Sequence, residues 1–163
     1  MKKVQPGTHG QPRISANITI RPIYRDDRSL WEPLWLGYLD FYQKSLQPEV
    51  NDVTWNRLTS THEVEGLLAI GAEGEAVGLV QFFHHVNTSR IGGVCYLEDL
   101  FVVPEARGQR VGRRLIAAVV ECAKKKGAAL VYWQTEEFNG TARRLYERVA
   151  KRSPFIRYQI ENL

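Results

Sequence analysis

Residues 94–135 constrain the fold more than any other part of the chain. "VCYLEDLFVV" (94–103) is apolar and rich in strand-forming residues. "RGQRVGRRLIAAVVECAKKKG" (107–127) follows with helical spacing. Val111, Leu115, Ala118, Val119 and Cys122 share one face. Lys124–Lys126 occupy the last turn, where cations suit the helix dipole, and Gly127 supplies the stop. "ALVYWQT" (129–135) is a nearly continuous apolar run, the mark of a buried strand. Strand, helix and strand joined this closely predict a parallel pair with the helix crossing over one sheet face.

The flanking segments complete a mixed sheet. "ITIRPI" (18–23) alternates as a strand. Residues 25–46 have helical spacing, with Trp31, Trp35, Tyr38 and Tyr42 on one face, either as core or as a pocket wall. Ser29 with Glu32 resembles a capping box, whereas Pro33 favours a start nearer Glu32. Residues 48–60 read as a loop and short helix. Strands at 66–71 and 76–86 form a hairpin around "AEGE". A helix over 139–152, with Asn139 as N-cap, carries the stripe Ala142, Leu145, Tyr146, Val149 and Ala150. "FIRYQI" (155–160) alternates as a last strand. The expected class is α/β, with a mostly antiparallel sheet, a parallel βαβ core and helices on both faces.

A chain of 163 residues suits one domain. Residues 1–16, rich in Pro, Gly and polar residues, read as a flexible leader, and 17–163 as a single domain. No apolar run reaches the roughly 20 residues of a membrane span. The leader has no apolar stretch that would make it a secretory signal. Cys95 and Cys122 read as small buried thiols in a reducing cytoplasm, with no zinc spacing and no metal site. The net charge of +4 favours anionic partners, whether nucleic acid or a phosphate-bearing small molecule.

The chemistry starts at the turn after residue 103. A strand feeding a glycine-containing turn and a helix start is suited to an anion, because free N–H groups and the positive dipole end point outward. Arg107, Arg110, Arg113 and Arg114 add charge. Neither the P-loop nor the dinucleotide fingerprint is present. A solvated basic helix start is the competing reading.

"LEDLFVVPEARGQRVGRRLI" followed by "TEEFNGTARRLY" resembles the acetyl-CoA core of the GNAT N-acetyltransferase superfamily. The family's R/Q-x-x-G-x-G/A signature falls on Arg107, Gly108, Gln109, Arg110, Val111 and Gly112, with Arg110 where glycine is usual. The resemblance implies that acetyl-CoA is the cosubstrate. Backbone groups of Leu100, Phe101 and Val102 would pair with the pantetheine arm. The Leu100 N–H would polarise the acetyl carbonyl. The turn from Gly108 to Arg113 would hold the pyrophosphate, Asn139 would bond the pantetheine arm, and Tyr146 would face the sulfur. "YLEDLFV" is similar to the strand of diamine (spermidine/spermine) acetyltransferases that carries a glutamate base, here Glu98. "YWQTEEFNGTARRLYERVA" resembles acetyltransferases of histones and polyamines. Family members are often homodimers.

A lysine-like amine is protonated at pH 7, and freeing its lone pair costs about 3.4 pH units, roughly 4.6 kcal/mol. A carboxylate near the acceptor can take that proton. Glu98 and Asp99 are adjacent on a strand, so one of them faces the cleft unless a bulge intervenes. Glu98 is the expected base. Trp35, Tyr38, Tyr42, His84 and Asp99 are expected around the acceptor. The reaction expected is direct attack of a primary amine on the thioester in a ternary complex, without a covalent enzyme intermediate. The acceptor is a small amine, amino acid or polyamine; protein lysine and aminoglycosides are alternatives. A non-catalytic basic module binding acyl-CoA or nucleic acid is the reading from a different class, with charge in its favour and the carboxylate strand against it.

Overall fold

The computed structural model describes residues 17–161. The leader assigned to residues 1–16 lies outside them. The described chain forms two compact units, the first ending at Trp133 and the second beginning at Gln134.

The first unit is built on five strands: β1 (Thr19–Pro22), β2 (Glu65–Ile70), β3 (Ala76–Asn87), β4 (Arg90–Val102) and β5 (Val131–Tyr132). They lie side by side in that order. All neighbours are antiparallel except β4 and β5, which are parallel, as the strand–helix–strand pattern requires. Helix α1 (Arg28–Phe41) covers one face, and α3 (Val111–Lys125) the other. Between them in sequence come α2 (Pro48–Asn56), a π-helical turn at Arg57–Thr61 and a short 3-10 turn at Pro104–Ala106.

Close approach on both faces is set by small residues. A side chain at Gly37 of α1 would meet the Phe101 ring at 2.8 Å. One at Gly78 of β3 would meet Leu115 and Val111 of α3 at 3.1–3.2 Å. Even-numbered residues of β3 therefore face α3, and odd-numbered residues face α1. The aromatic stripe of α1 is core: Trp31, Trp35 and Tyr38 are buried with Leu68 and Leu79. Trp31 stacks on Trp35, and Trp35 on Tyr38, with ring centroids 5.9 and 5.5 Å apart.

Helix α1 starts at Arg28, earlier than Pro33 suggests, and neither Ser29 nor Glu32 caps it. Asp27 holds the N-cap position, and its backbone oxygen accepts from Leu30 and Trp31. Its carboxylate binds Arg21 instead, at 2.5 and 2.8 Å, and accepts from the Tyr24 N–H. That guanidinium holds the Asp27 carboxyl below the usual carboxylate range.

The second unit contains α4 (Gly140–Val149), capped by Asn139, whose Oδ1 accepts from the Ala142 N–H at 3.2 Å. Two strand expectations are corrected. The run 129–135 contributes only Val131–Tyr132, and both are half-buried. The run 155–160 forms no strand, and Phe155, Ile156, Tyr158 and Ile160 are exposed. Alternation gives a segment strand character, but a strand needs a hydrogen-bonded neighbour. Among the described residues of this unit, α4 is the one regular element.

Candidate active site

Two geometric features of β4 organise the site. The first is a β-bulge. Gln81 of β3 lies opposite Asp99, and the next residue, Phe82, lies opposite Leu97. Glu98 is the extra residue. Upstream of it, Tyr96 pairs with Phe83 and Cys95 with His84. The bulge answers the question raised by two adjacent acids in one strand. Asp99 takes the α1 face with Gln81, and the charge of Glu98 acts on Tyr38 and Tyr132 of that same face. Glu98 is exposed and Asp99 is buried.

The second feature is the end of the parallel pairing. β5 runs beside β4 only at Cys95 and Tyr96. No strand of the described residues continues along that side from Leu97 to Val102. Leu100, Phe101 and Val102, paired on their other side with Val80, Leu79 and Gly78, are half-buried there. A polar chain laid against such a strand can be held as an added strand.

Beyond Val102 the chain turns into α3. Gly108 and Arg110 both have left-handed backbones, with φ of +78° and +64°. Arg110 is the N-cap residue of α3, and no side chain bonds the helix start. The first N–H groups of α3, on Val111, Gly112 and Arg113, have no partner within the helix. Arg107, Gly108, Gln109, Arg110 and Arg113 are exposed around them. Some of this charge is structurally engaged. Arg107 donates from Nε to the Val102 carbonyl, and its guanidinium lies over Phe41 and Phe101. Gln109 closes the turn on the Glu105 carbonyl at 2.9 Å. Arg114 reaches back to the Ile18 carbonyl.

The sequence model of the Acetyltransferase (GNAT) family matches residues 23–150. The chain belongs to that family. It is an acetyl-CoA-dependent N-acetyltransferase. It is similar to the D-amino-acid N-acetyltransferase HPA3 of Saccharomyces cerevisiae, 32% identical over 90% of this chain and 92% of that one. It is also similar to an aminoglycoside N(6')-acetyltransferase type 1 of Stenotrophomonas maltophilia, 34% identical over 70% of this chain and 72% of that one. Among solved structures, AAC(6')-Iy in complex with the bisubstrate analogue CoA-S-monomethyl-acetylneamine shares the fold. Its TM-score is 0.72 at 20% identity, over 88% of this chain and 99% of that one.

The GNAT signature explains itself at Arg110. The position usually held by glycine has a left-handed backbone here, and arginine adopts it at a cost of about 1 kcal/mol relative to its favoured regions. The family's glycine thus answers to backbone geometry as well as to close cofactor approach.

The acetyltransferase does not bring together every residue expected around the acceptor. Trp35 and Tyr38 lie in the core on the α1 side, and Tyr42 is half-buried beside them. His84 is on the opposite face. Its Nδ1 is 3.0 Å from Glu65 Oε1, which also binds Lys126 Nζ at 2.8 Å. It is His85 that shares a face with Glu98, with Nε2 2.9 Å from the Tyr132 hydroxyl. Asn139 and Tyr146 lie in the second unit, at the N-cap and second turn of α4, both half-buried. The thiols are poor nucleophiles. Burial pushes Cys95 up to about 11 and raises Cys122 as well.

Two contributors escaped the sequence reading, Gln81 and Tyr132. Gln81 has a visible signal, being the single amide in the apolar run "GLVQFF". The bulge has one too, because two adjacent acids break the alternation of an otherwise apolar strand.

Proposed function

We propose that this acetyltransferase acetylates the primary amine of a small amino compound, with amino acids as the leading acceptor class. The similarity to HPA3 along nearly the whole of both chains carries the choice of acceptor. The aminoglycoside relative supports a second reading, an amino sugar.

Acetyl-CoA supplies the acetyl group as an activated thioester. The free N–H groups at the start of α3, with Gly108, Gln109, Arg110 and Arg113 around them, fit its pyrophosphate. The edge of β4 from Leu100 to Val102 fits the pantetheine arm. Glu98, exposed on the bulge, takes the proton of the incoming ammonium, directly or through water. The Leu100 N–H stabilises charge growing on the acetyl oxygen. Tyr146 donates a hydrogen bond to the departing sulfur. Full proton transfer from a phenol to a thiolate is uphill by about 2 kcal/mol, so hydrogen-bond donation suits it better. Attack is direct, in keeping with thiols whose pKa values are raised.

Release of free CoA from acetyl-CoA, measured over a panel of D- and L-amino acids, polyamines and aminoglycosides, tests this reading. The expected result is turnover with amino acids and a larger loss of kcat than of acetyl-CoA affinity in Tyr146→Phe. Turnover confined to aminoglycosides would favour the second reading. No turnover with any amine, combined with salt-sensitive DNA binding, would overturn both.

A further inference from the structure

One buried polar chain crosses the core of the first unit beside the bulge. The Trp31 Nε1–H donates to Gln81 Oε1 at 2.8 Å. Gln81 Nε2–H donates to Asp99 Oδ2 at 2.7 Å. The Tyr38 hydroxyl lies beside the same carboxyl, close enough for each group to shift the other's proton affinity. Trp31, Gln81 and Asp99 are 0%, 1% and 7% exposed. A chain of this kind is unfavourable to bury unless every member is satisfied, and here each has a partner. Its polarity is also determined. Because Trp31 is a donor only, the Gln81 carbonyl must face it, which turns the Gln81 amide N–H toward Asp99.

Placement gives this chain a use that stability alone does not require. Gln81 and Asp99 are the pair on one side of the bulge, and Glu98 is the residue it extrudes. The chain thus ties α1, β3 and β4 together at the point where β4 breaks register. A one-residue slip there would turn Glu98 and every residue beyond it to the other face.

We propose that Asp99 is a positioning residue for acetyl transfer: bonded to Gln81 and set beside Tyr38, it locks the β4 bulge so that Glu98 and the Leu100–Val102 edge are held in place. Its kinetic consequences rest on the acetyltransferase reading; its structural ones do not.

Charge state is part of the device. An ionised Asp99 accepts from Gln81 and can accept from the Tyr38 hydroxyl beside it. A protonated Asp99 gains an O–H to donate, for which the Tyr38 oxygen alongside is an acceptor. Burial pushes the Asp99 carboxyl above the ordinary range. The bonds from Tyr38 and Gln81 and the charge of Lys44 pull the other way. The titratable groups around the pair are Tyr38 of α1, Tyr42 and Lys44 just beyond it, and Glu98 on β4; β3 presents the neutral Gln81.

The test uses the full chain and two variants, Asp99→Asn and Tyr38→Phe. It combines amide hydrogen exchange over residues 97–101, carboxyl-carbon NMR titration of Asp99, and steady-state kinetics. In Asp99→Asn, exchange over 97–101 should accelerate. Its kcat should fall by about tenfold to 100-fold, the upper figure being the scale for a catalytic group misplaced by about 1 Å, while KM for acetyl-CoA stays within about twofold. In Tyr38→Phe, the Asp99 midpoint should move to higher pH, because the ionised form loses a donor. A folded Asp99→Asn with unchanged exchange and kcat, or a Tyr38→Phe whose Asp99 midpoint stays put, overturns the proposal. If Asp99→Asn does not fold, the Tyr38→Phe titration decides alone. Faster exchange without CoA release from any amine would uphold the locked bulge and sink the acetyltransferase reading instead.

Discussion

The two faces of the sheet are built on different principles. The α3 face is apolar where Gly78 meets Leu115 and Val111, with Val80, Phe82 and Leu97 buried on the same side, and its polar contacts run from the half-buried His84 to Glu65 and on to Lys126. The α1 face carries aromatic rings, a buried carboxyl–amide–indole chain and a strand that breaks register. Both faces bury large side chains, so burial does not separate them. What separates them is the depth of their polar contacts: on the α1 face hydrogen bonds, which specify direction, run through fully buried groups beside the bulge, whereas the buried part of the α3 face is held by dispersion and area and its ion pairs lie on partly exposed groups. The chemistry attributed to Glu98 belongs on the face that specifies direction.

The comparison can be broken most forcefully on the α3 face. Leu115→Ala should destabilise the fold by about 2–5 kcal/mol in denaturant unfolding, as core truncations do. Its kcat at a temperature where it is folded should be unchanged. A proportionate loss of kcat would mean that the two faces are not separable. On the other face, Glu98→Gln should lower kcat/KM by about 100-fold, the lower end of general-base effects, with the deepest loss at low pH where free amine is scarcest. A loss that ignores pH would point to structure rather than proton transfer.

A smaller effect tests the edge of the α1 face. The Arg21–Asp27 pair keeps the Asp27 carboxyl low, so its contribution is present above the ordinary carboxylate value near 3.9 and is lost as pH falls through the lower folded value. Asp27→Asn should therefore cost about 1–3 kcal/mol at neutral pH, and less as pH drops, in urea melts run as a pH series. Equal cost at all pH values would remove the ion pair from the account. The smallest expected effect is at the helix turn. Arg110→Gly should stabilise the fold by up to about 1 kcal/mol by relieving the left-handed arginine, as read by thermal melting. It should also weaken acetyl-CoA binding if the arginine charge helps hold the phosphates. Lower stability would show that the arginine side chain, rather than its backbone, dominates there.

Much of this architecture is written locally. The parallel core follows from the short links between residues 94 and 135, and the α1 stripe from the spacing of four aromatics. The hairpin follows from "AEGE", and the cap of α4 from Asn139. What escaped depends on phase or on a partner. The side-chain faces of β4 upstream of Glu98 are inverted by one inserted residue, which the adjacent acids hint at but alternation alone does not place. His84 is ambiguous for another reason: it and His85 are adjacent on β3, and which of them faces Glu98 is set by strand phase, which puts His84 against Glu65. The run 155–160 alternates as a strand should, yet alternation says nothing about which edge, if any, will pair with it. The left-handed backbone at Arg110 was legible only as a departure from a family glycine.

The most direct test is to measure kcat and melting temperature on the same preparations of Leu115→Ala and Glu98→Gln, with the best amine found for the parent protein. The account predicts a crossed result: Leu115→Ala loses melting temperature and keeps kcat, and Glu98→Gln loses kcat and keeps its melting temperature. Parallel losses in both variants would contradict it.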